Sequence, residues 1–286
     1  MALLSYDERD YGRKHALLHL EAESKMQRKL TAIFRKYAGE VYSSYRSLGI
    51  PLFPTETQEL LNKTLLSEYN RTAGFYSDFH AEYLTVPFVN EGRAMLAIDR
   101  RLEDILPQLA LTQSDRILRT TERELTRSVE KAKEASPGVQ SRMLEATYVH
   151  GQLLNRSVPR AKVISATEVT RVSEITKEVE IQETVGHLEP EELQQAFGEE
   201  LDDQQMSTAL VIGGAAALSA GILTSVRTWN PVLDGDTRIG HAAASGQTAT
   251  QKETFDVGGE ELSFPGDPRG SAANTINCRC FLTYSI

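Results

Sequence analysis

The chain is poor in cysteine: two in 286 residues, Cys278 and Cys280, one position apart. That spacing is too tight for a comfortable bridge and leaves no third thiol, so no disulfide framework supports the fold and reducing surroundings are expected. Long apolar runs are missing too. The longest, Ala209 to Leu223, has 15 residues and contains Gly213, Gly214 and Gly221. At about 1.5 Å per residue it reaches roughly 22 Å as a helix, short of a bilayer core of about 30 Å. It predicts a buried helix approached closely by another backbone rather than a membrane anchor. Met1 to Arg13 carries Asp7, Glu8, Arg9, Asp10 and Arg13 with no apolar run behind them, which predicts no secretory leader. Aromatic residues make up only 7% and mean hydropathy is -0.34, values of a soluble, helix-leaning chain rather than a compact all-β one. The 40% of hydrophobic residues still suffices to bury a core.

The net charge of -9 is unevenly spread. Residues 1–177 hold 26 Lys and Arg against 23 Asp and Glu, a balance of +3, whereas residues 178–286 hold 5 against 17, a balance of -12. From Glu178 to Asp203 there are ten acidic residues and no basic one. Such a run reads as a solvated linker or helix face, or as a segment that repels DNA and docks on a basic surface.

The first half reads as helix. Between Tyr6 and Ser47 no proline intervenes, and Leu17, Leu18, Met26, Leu30, Ile33, Phe34, Tyr37, Val41 and Tyr45 recur mostly at three- and four-residue steps. Gly49, Pro51 and Pro54 break the pattern, and Thr55 opens a second helix. Phe75, Tyr76, Phe79, Tyr83 and Phe88 form the densest aromatic cluster, as expected of a sealed helical core. Arg93–Leu106 and Thr112–Glu134 predict two further helices, the first stopped by Pro107 and the second capped by Thr112-x-Ser114. A helix is expected from Arg160 to Val185 after Pro159, with a domain boundary near Asn155 to Pro159, and a short acidic helix over Pro190–Phe197. Thr254 to Phe264 alternates about Gly258-Gly259, the pattern of a β-hairpin, and a last strand is expected over Cys280–Tyr284. The fold class is therefore α+β: a largely α-helical region, 1–157, whose apolar stripe is expected to bind an assembly partner, then a small α+β domain with a β-hairpin, 158–286.

Arg116, Arg119, Arg123, Arg127 and Lys131 share one helix face, interleaved with Glu122, Glu124, Glu130 and Glu134. A self-paired solvated face is one reading and contact with DNA phosphates the other. His15 and His19 lie one helical turn apart, the spacing of two metal ligands, but no third ligand stands at metal-site spacing.

The C-terminal region carries a polar series: Trp229, Asp234, Asp236, Arg238, His241, Gly246, Phe255, then Pro265-Gly266-Asp267-Pro268, then Asn277-Cys278-Arg279-Cys280. In order and spacing it resembles the C-terminal signature of the phage Mu F-type minor head proteins, the phage head morphogenesis family. Thr167, Glu168 and Arg171 upstream look like that family's Thr-Glu-containing helix. The resemblance covers roughly residues 160–286, with the acidic and Gly-Ala-rich stretch Gly186–Leu223 longer than the pattern. It implies a minor head protein of a tailed phage, in the virion head or at its portal vertex and in host cytoplasm during assembly. Its implied partners are the portal protein, with major capsid protein or scaffold and packaged DNA as others, and its implied work is head assembly, DNA packaging or DNA delivery.

Read as chemistry, the same residues allow several roles. Asp236 and Arg238 can fix a turn, Arg279 can fork onto a buried carboxylate such as Asp267, and Pro265–Pro268 can lock a loop. This favours a structural protein without catalytic residues or a required cofactor. His241, Cys278 and Cys280, with Asp234 as a fourth donor, are alternatively a zinc ligand set. Asp234, Asp236 and His241 could hold a divalent ion that activates water, which would make the chain an enzyme acting on nucleic acid. An ADP-ribosyltransferase, acting on NAD, wants a Glu-x-Glu turn after its arginine; Glu178-Val179-Glu180 precedes Arg238, so the order is wrong. No phosphate loop or nucleophile elbow is present.

Overall fold

A computed structural model describes residues 8–52, 54–82, 91–135, 142–188, 191–193, 201–212, 226–232, 236–250 and 252–285. Four long helices come first: α1 (Glu8–Leu48), α2 (Thr55–Ala81), α3 (Glu91–Ala135) and α4 (Arg142–Gly186). After them come α5 (Asp203–Ile212), β1 (Val226–Asn230), α6 (Ile239–Ala243), β2 (Thr248–Thr250), β3 (Phe255–Val257), β4 (Glu260–Leu262), α7 (Ala272–Thr275) and β5 (Phe281–Ser285). An α-helical N-terminal region followed by a smaller region of strands and helices is the α+β architecture anticipated from the sequence.

The chain packs as two compact units. One takes Met1–Leu20, Arg71–Asp104 and Ala166–Ile286; the other takes Glu21–Asn70 and Ile105–Ser165. Each long helix thus contributes one stretch to each unit, and the boundary expected near Asn155–Pro159 lies inside α4. Charge follows the units. The second holds 17 Lys and Arg against 12 Asp and Glu, a balance of +5, and the first 14 against 28, a balance of -14.

Two prolines expected to mark helix boundaries, Pro107 an end and Pro159 the residue before a start, do not. Pro107 lies within α3 and Pro159 within α4. A proline in a helix interior costs about 3 kcal/mol, but the buried face continues in phase across each. Leu102, Leu106, Ala110 and Gln113 do so on α3; Val149, Leu153, Ser157 and Ala161 do so on α4. The packing of those faces outweighs the lost backbone hydrogen bond. Thr112 and Ser114, expected at a helix start, instead donate back to the carbonyls of Gln108 and Leu111, so no cap forms and α3 runs on.

In the second unit Tyr37, Ala38, Val41 and Tyr45 of α1 pack with Leu125 and Ala132 of α3 and with Ala146, Val149 and Leu153 of α4. The α1 stripe, expected to bind a partner, is met there by α3 and α4 of the same chain. Toward its N-terminus the buried positions are Tyr11, His15, His19 and Ala22, while Leu17 is exposed, so the buried face carries two histidines where leucines were expected.

The first unit is built on β1, the centre of an antiparallel sheet ordered β2-β1-β5, with Trp229 opposite Leu282 and Arg227 opposite both Ala249 and Tyr284. Strand alternation turns Arg227 and Trp229 to the buried side. Trp229 is fully buried beside Phe255, at 5.4 Å between rings, in a core that includes Ile181, Val185, Phe255, Leu262, Leu282 and Tyr284. The expected hairpin is β3–β4, closed by Gly258 and Gly259 at φ 62° and 83°, the left-handed pair that a two-residue turn demands. The expected last strand is β5. Tyr83 and Phe88, most of the acidic stretch Pro190–Phe197, and the apolar stretch from residue 213 onward lie outside the described residues.

Candidate metal centre

The site is assembled by α4. Its residues 167, 170, 174 and 177, all buried, and the half-buried 178 recur at helical steps on one face, and every one meets the C-terminal segment. Thr167 Oγ1 accepts the Asn277 N–H at 2.8 Å, and the Thr170 hydroxyl donates to the Cys278 carbonyl. Glu174 accepts the Leu282 N–H at 3.2 Å, and Lys177 donates to the Leu282 carbonyl at 2.7 Å. Glu178 accepts the Tyr284 hydroxyl at 2.9 Å. The loop so held carries Asn277 at φ 56°, a left-handed conformation fitted to its hydrogen bond with Thr167.

Held in this way, Cys278 and Cys280 face His241 of α6. His241 Nδ1 lies 3.3 Å from Cys280 Sγ and 3.6 Å from Cys278 Sγ, and the three donor atoms sit within 4.8 Å of one another. Ligands on one tetrahedral ion, with bonds of about 2.0 Å to nitrogen and 2.3 Å to sulfur, stand about 3.5 Å apart. The measured separations fit that geometry. All three side chains are buried, and among the described residues the group stops at three. The hydrogen bond from Cys280, reinforced by His241, holds the Cys278 thiol below its ordinary range against the effect of burial. The same thiol–thiol hydrogen bond and burial push Cys280 up. Cys278 is thus the ready thiolate of the pair.

A small pocket opens onto this group. Val232, Asp236, Thr237, Arg238, Asn277 and Arg279 complete its wall, and it has room for about one water molecule. Arg238 donates to the Ile276 carbonyl, and Arg279 stands 3.9 Å from Asp236, whose side chain is 88% exposed.

The motif residues divide between chemistry and architecture. His241, Cys278 and Cys280 come together, whereas Asp234 lies outside the described residues. Arg171 forms a buried ion pair with Glu168 and donates to the Gly266 carbonyl at 3.0 Å, tying α4 to the Pro265–Pro268 turn. Gly246 donates to the Trp229 carbonyl at 2.9 Å in the turn before β2. The fork expected from Arg279 onto Asp267 is made by Arg269, whose Nη2 reaches Asp267 at 2.7 Å; Arg279 pairs with Asp236 instead. Burial would raise the Asp267 pKa, but Arg269 and the backbone N–H groups of Ser263 and Arg269 outweigh it and hold the carboxyl low. Among the described residues His15 and His19 belong to no such ligand group; His19 Nε2 lies 2.9 Å from Thr170 Oγ1.

Arg227 was not singled out from the sequence. Buried, it donates to the carbonyls of Ser263, Thr250 and Glu253 and stacks over Phe255. An arginine alternating with a tryptophan in a short strand-like stretch was the available signal. In the other unit Arg116, Arg119, Arg123, Arg127 and Lys131 lie exposed along α3, with Arg119 paired to Asp115 at 2.8 Å.

Reading the chain as non-catalytic is overturned by this centre. Three ligand-type side chains clustered at the foot of a pocket are a group capable of holding a metal ion, and a held metal brings its own chemistry. Comparison with protein-family models, curated proteins and solved structures finds no match to this chain.

Proposed function

We propose that the protein is a metal-dependent hydrolytic enzyme acting on nucleic acid, carried as a minor component of a tailed-phage head. The observation that carries the enzymatic part is the His241–Cys278–Cys280 group with its pocket. Structural zinc sites use four protein ligands, whereas catalytic ones use three and leave a position for water. Among the described residues three donors stand beside space for one water, as in the second pattern. Zinc suits a nitrogen and two thiolates, and when bound it supplies a water acidic enough to act as a nucleophile near neutral pH.

The remaining chemistry falls to the pocket wall. Two thiolates cancel the charge of a dication, so the local field at the mouth comes from Arg238 and Arg279 against Asp236. The balance is one positive charge, and guanidinium groups suit phosphate oxygens. The pocket is too small for a whole nucleotide, so a phosphodiester would be presented from the surface. Asp236, at 88% exposure, stands where it can accept a proton from that mouth.

The placement in a phage head rests on the resemblance of the polar series to the Mu F-type signature. A role at the portal vertex rests on the same resemblance; Thr167, Glu168, Arg171, Gly266 and Asp267 hold the shape of the module. Two measurements test the proposal. Purified protein should contain about one zinc per chain, lost in His241→Ala, and should cleave a phosphodiester substrate in a reaction that His241→Ala and Arg279→Ala abolish or reduce. Metal bound with no turnover would leave the centre a structural one. Co-sedimentation with portal protein tests the head placement.

A further inference from the structure

A metal affinity depends on more than the ligands, because the loop that presents them must be held before the ion arrives. Cys278 and Cys280 sit on such a loop, and its backbone groups are met by side chains rather than by a strand ladder until β5 begins at Phe281. The Cys278 carbonyl is taken by the Thr170 hydroxyl. A threonine hydroxyl has one proton and a carbonyl can only accept, so that proton is committed to Cys278. His19 Nε2, 2.9 Å from the same oxygen, must therefore be the donor in its contact with Thr170, which makes it the N–H nitrogen of the ring. The order of donation runs from His19 on α1 to Thr170 on α4 to the carbonyl of a candidate metal ligand. His19 and Thr170 are both buried, so water cannot replace either link without entering the core.

We infer that Thr170, oriented by His19, is a positioning residue for the loop that presents Cys278 and Cys280 to a metal ion. The inference rests on the reading of His241, Cys278 and Cys280 as a metal centre. It gives the His15–His19 pair of the sequence a role other than ligation: His19 faces the C-terminal loop through a hydrogen bond. The peptide that Thr170 holds fixes the direction of the Cys278 side chain, while Thr167 fixes the peptide before it through the Asn277 N–H at 2.8 Å. Removing the Thr170 hydroxyl leaves the Cys278 carbonyl and the His19 N–H both without their partner and lets the loop rotate.

The experiment uses the full chain as wild type, Thr170→Val, Thr170→Ser and, as a control on the same helix, Thr147→Val, an exposed threonine bonded to the Met143 carbonyl. Zinc affinity is read by competition with a chromophoric chelator, and the alkylation rate of the two thiols is read separately on zinc-free, reduced protein. Thr170→Val should weaken zinc binding by about 10- to 100-fold, the range for lost outer-shell partners. It should also speed alkylation several-fold, with Thr170→Ser and Thr147→Val close to wild type. Wild type and Thr170→Val binding zinc equally would overturn the inference. A wild type that binds no zinc would sink the metal reading instead, and the positioning claim would then be decided by alkylation, equal rates overturning it. Should Thr170→Val lose its helical circular dichroism, His19→Leu removes the orienting donor without touching α4 or the loop, and the same criteria apply.

Discussion

Glu174 and Lys177, one turn apart on α4, form a buried ion pair at 3.1 Å, and between them they take both backbone groups of Leu282. For each residue burial is the leading influence, raising the Glu174 carboxyl and lowering the Lys177 amine despite their mutual attraction. Such a pair adds little net stability against an apolar substitute but is costly to halve.

Lys177→Met is accordingly expected to destabilise the protein by about 3–5 kcal/mol, since it strands Glu174 in the core and frees the Leu282 carbonyl. The double variant with Glu174→Gln should lose less than the sum of the two single changes. Denaturant titration of the four proteins measures the coupling, and additive losses would show that the pair does not act as a unit.

Acid should weaken the unit that holds the metal centre. Burial is the main cause that lowers the His19 pKa from 6.5 to about 4, with Arg279 adding to it, and burial likewise drives His15 well below its ordinary value. The unfolded chain then binds protons that the folded chain refuses. Stability is therefore whole above about pH 6.5 and falls as pH drops toward 4; for His19 alone the loss is on the order of 3 kcal/mol. Thermal melts between pH 7.5 and 4 should show this decline, and His19→Gln should flatten it.

The readable parts of this protein were those set by local pattern. The Gly258-Gly259 hairpin and the strand after Cys280 follow from residues adjacent in sequence, and so does the buried stripe from Met26 to Tyr45. Pro107 and Pro159 misled because local propensity speaks for a proline's own turn, whereas long buried faces on either side decided the helix. The ligand trio was visible as residue types in a plausible order. Its support was not, because Thr170 and Cys278 are separated by 108 positions and a lone helical threonine carries no mark of its partner. The place expected for Arg279 at Asp267 is taken by Arg269, which shows the same limit: both arginines were available, and the one that reaches back also binds the carboxylate through its own backbone N–H.

Close backbone approach at Gly240 offers a separate test of how His241 is placed. A Cβ on Gly240 would lie 2.9 Å from the Gly258 Cα and 3.1 Å from its nitrogen, so α6 sits directly on the hairpin turn. Neither contact is the end of a flexible side chain, so relief requires moving α6. Gly240→Ala should cost about 1–3 kcal/mol and, by shifting the neighbouring His241, should lower zinc affinity. Gly246→Ala meets nothing within 4 Å and differs only in its positive φ, so it should cost stability without changing metal binding.

The last test concerns how a protein of net charge -9 would attract nucleic acid. The unit with the metal centre carries a balance of -14 and opposes a polyanion, so attraction must come from the other unit, at +5. Its exposed cations Arg116, Arg119, Arg123, Arg127 and Lys131 line one face of α3 over about 22 Å. The Arg119–Asp115 pair is solvent-exposed and worth at most about 1 kcal/mol, little obstacle to exchange for a phosphate. Five phosphate contacts would give binding to duplex DNA a slope of about -4.5 in log affinity against log salt. Arg123→Ala with Arg127→Ala should reduce that slope by about 2 and weaken binding in low salt. Glu122→Gln with Glu130→Gln, which removes the acids lining the same face, should strengthen it. Fluorescence anisotropy with a labelled 20-base-pair duplex between 50 and 200 mM salt measures all three proteins. A slope near zero, or one the arginine variant leaves unchanged, would return the stripe to a self-paired solvated surface.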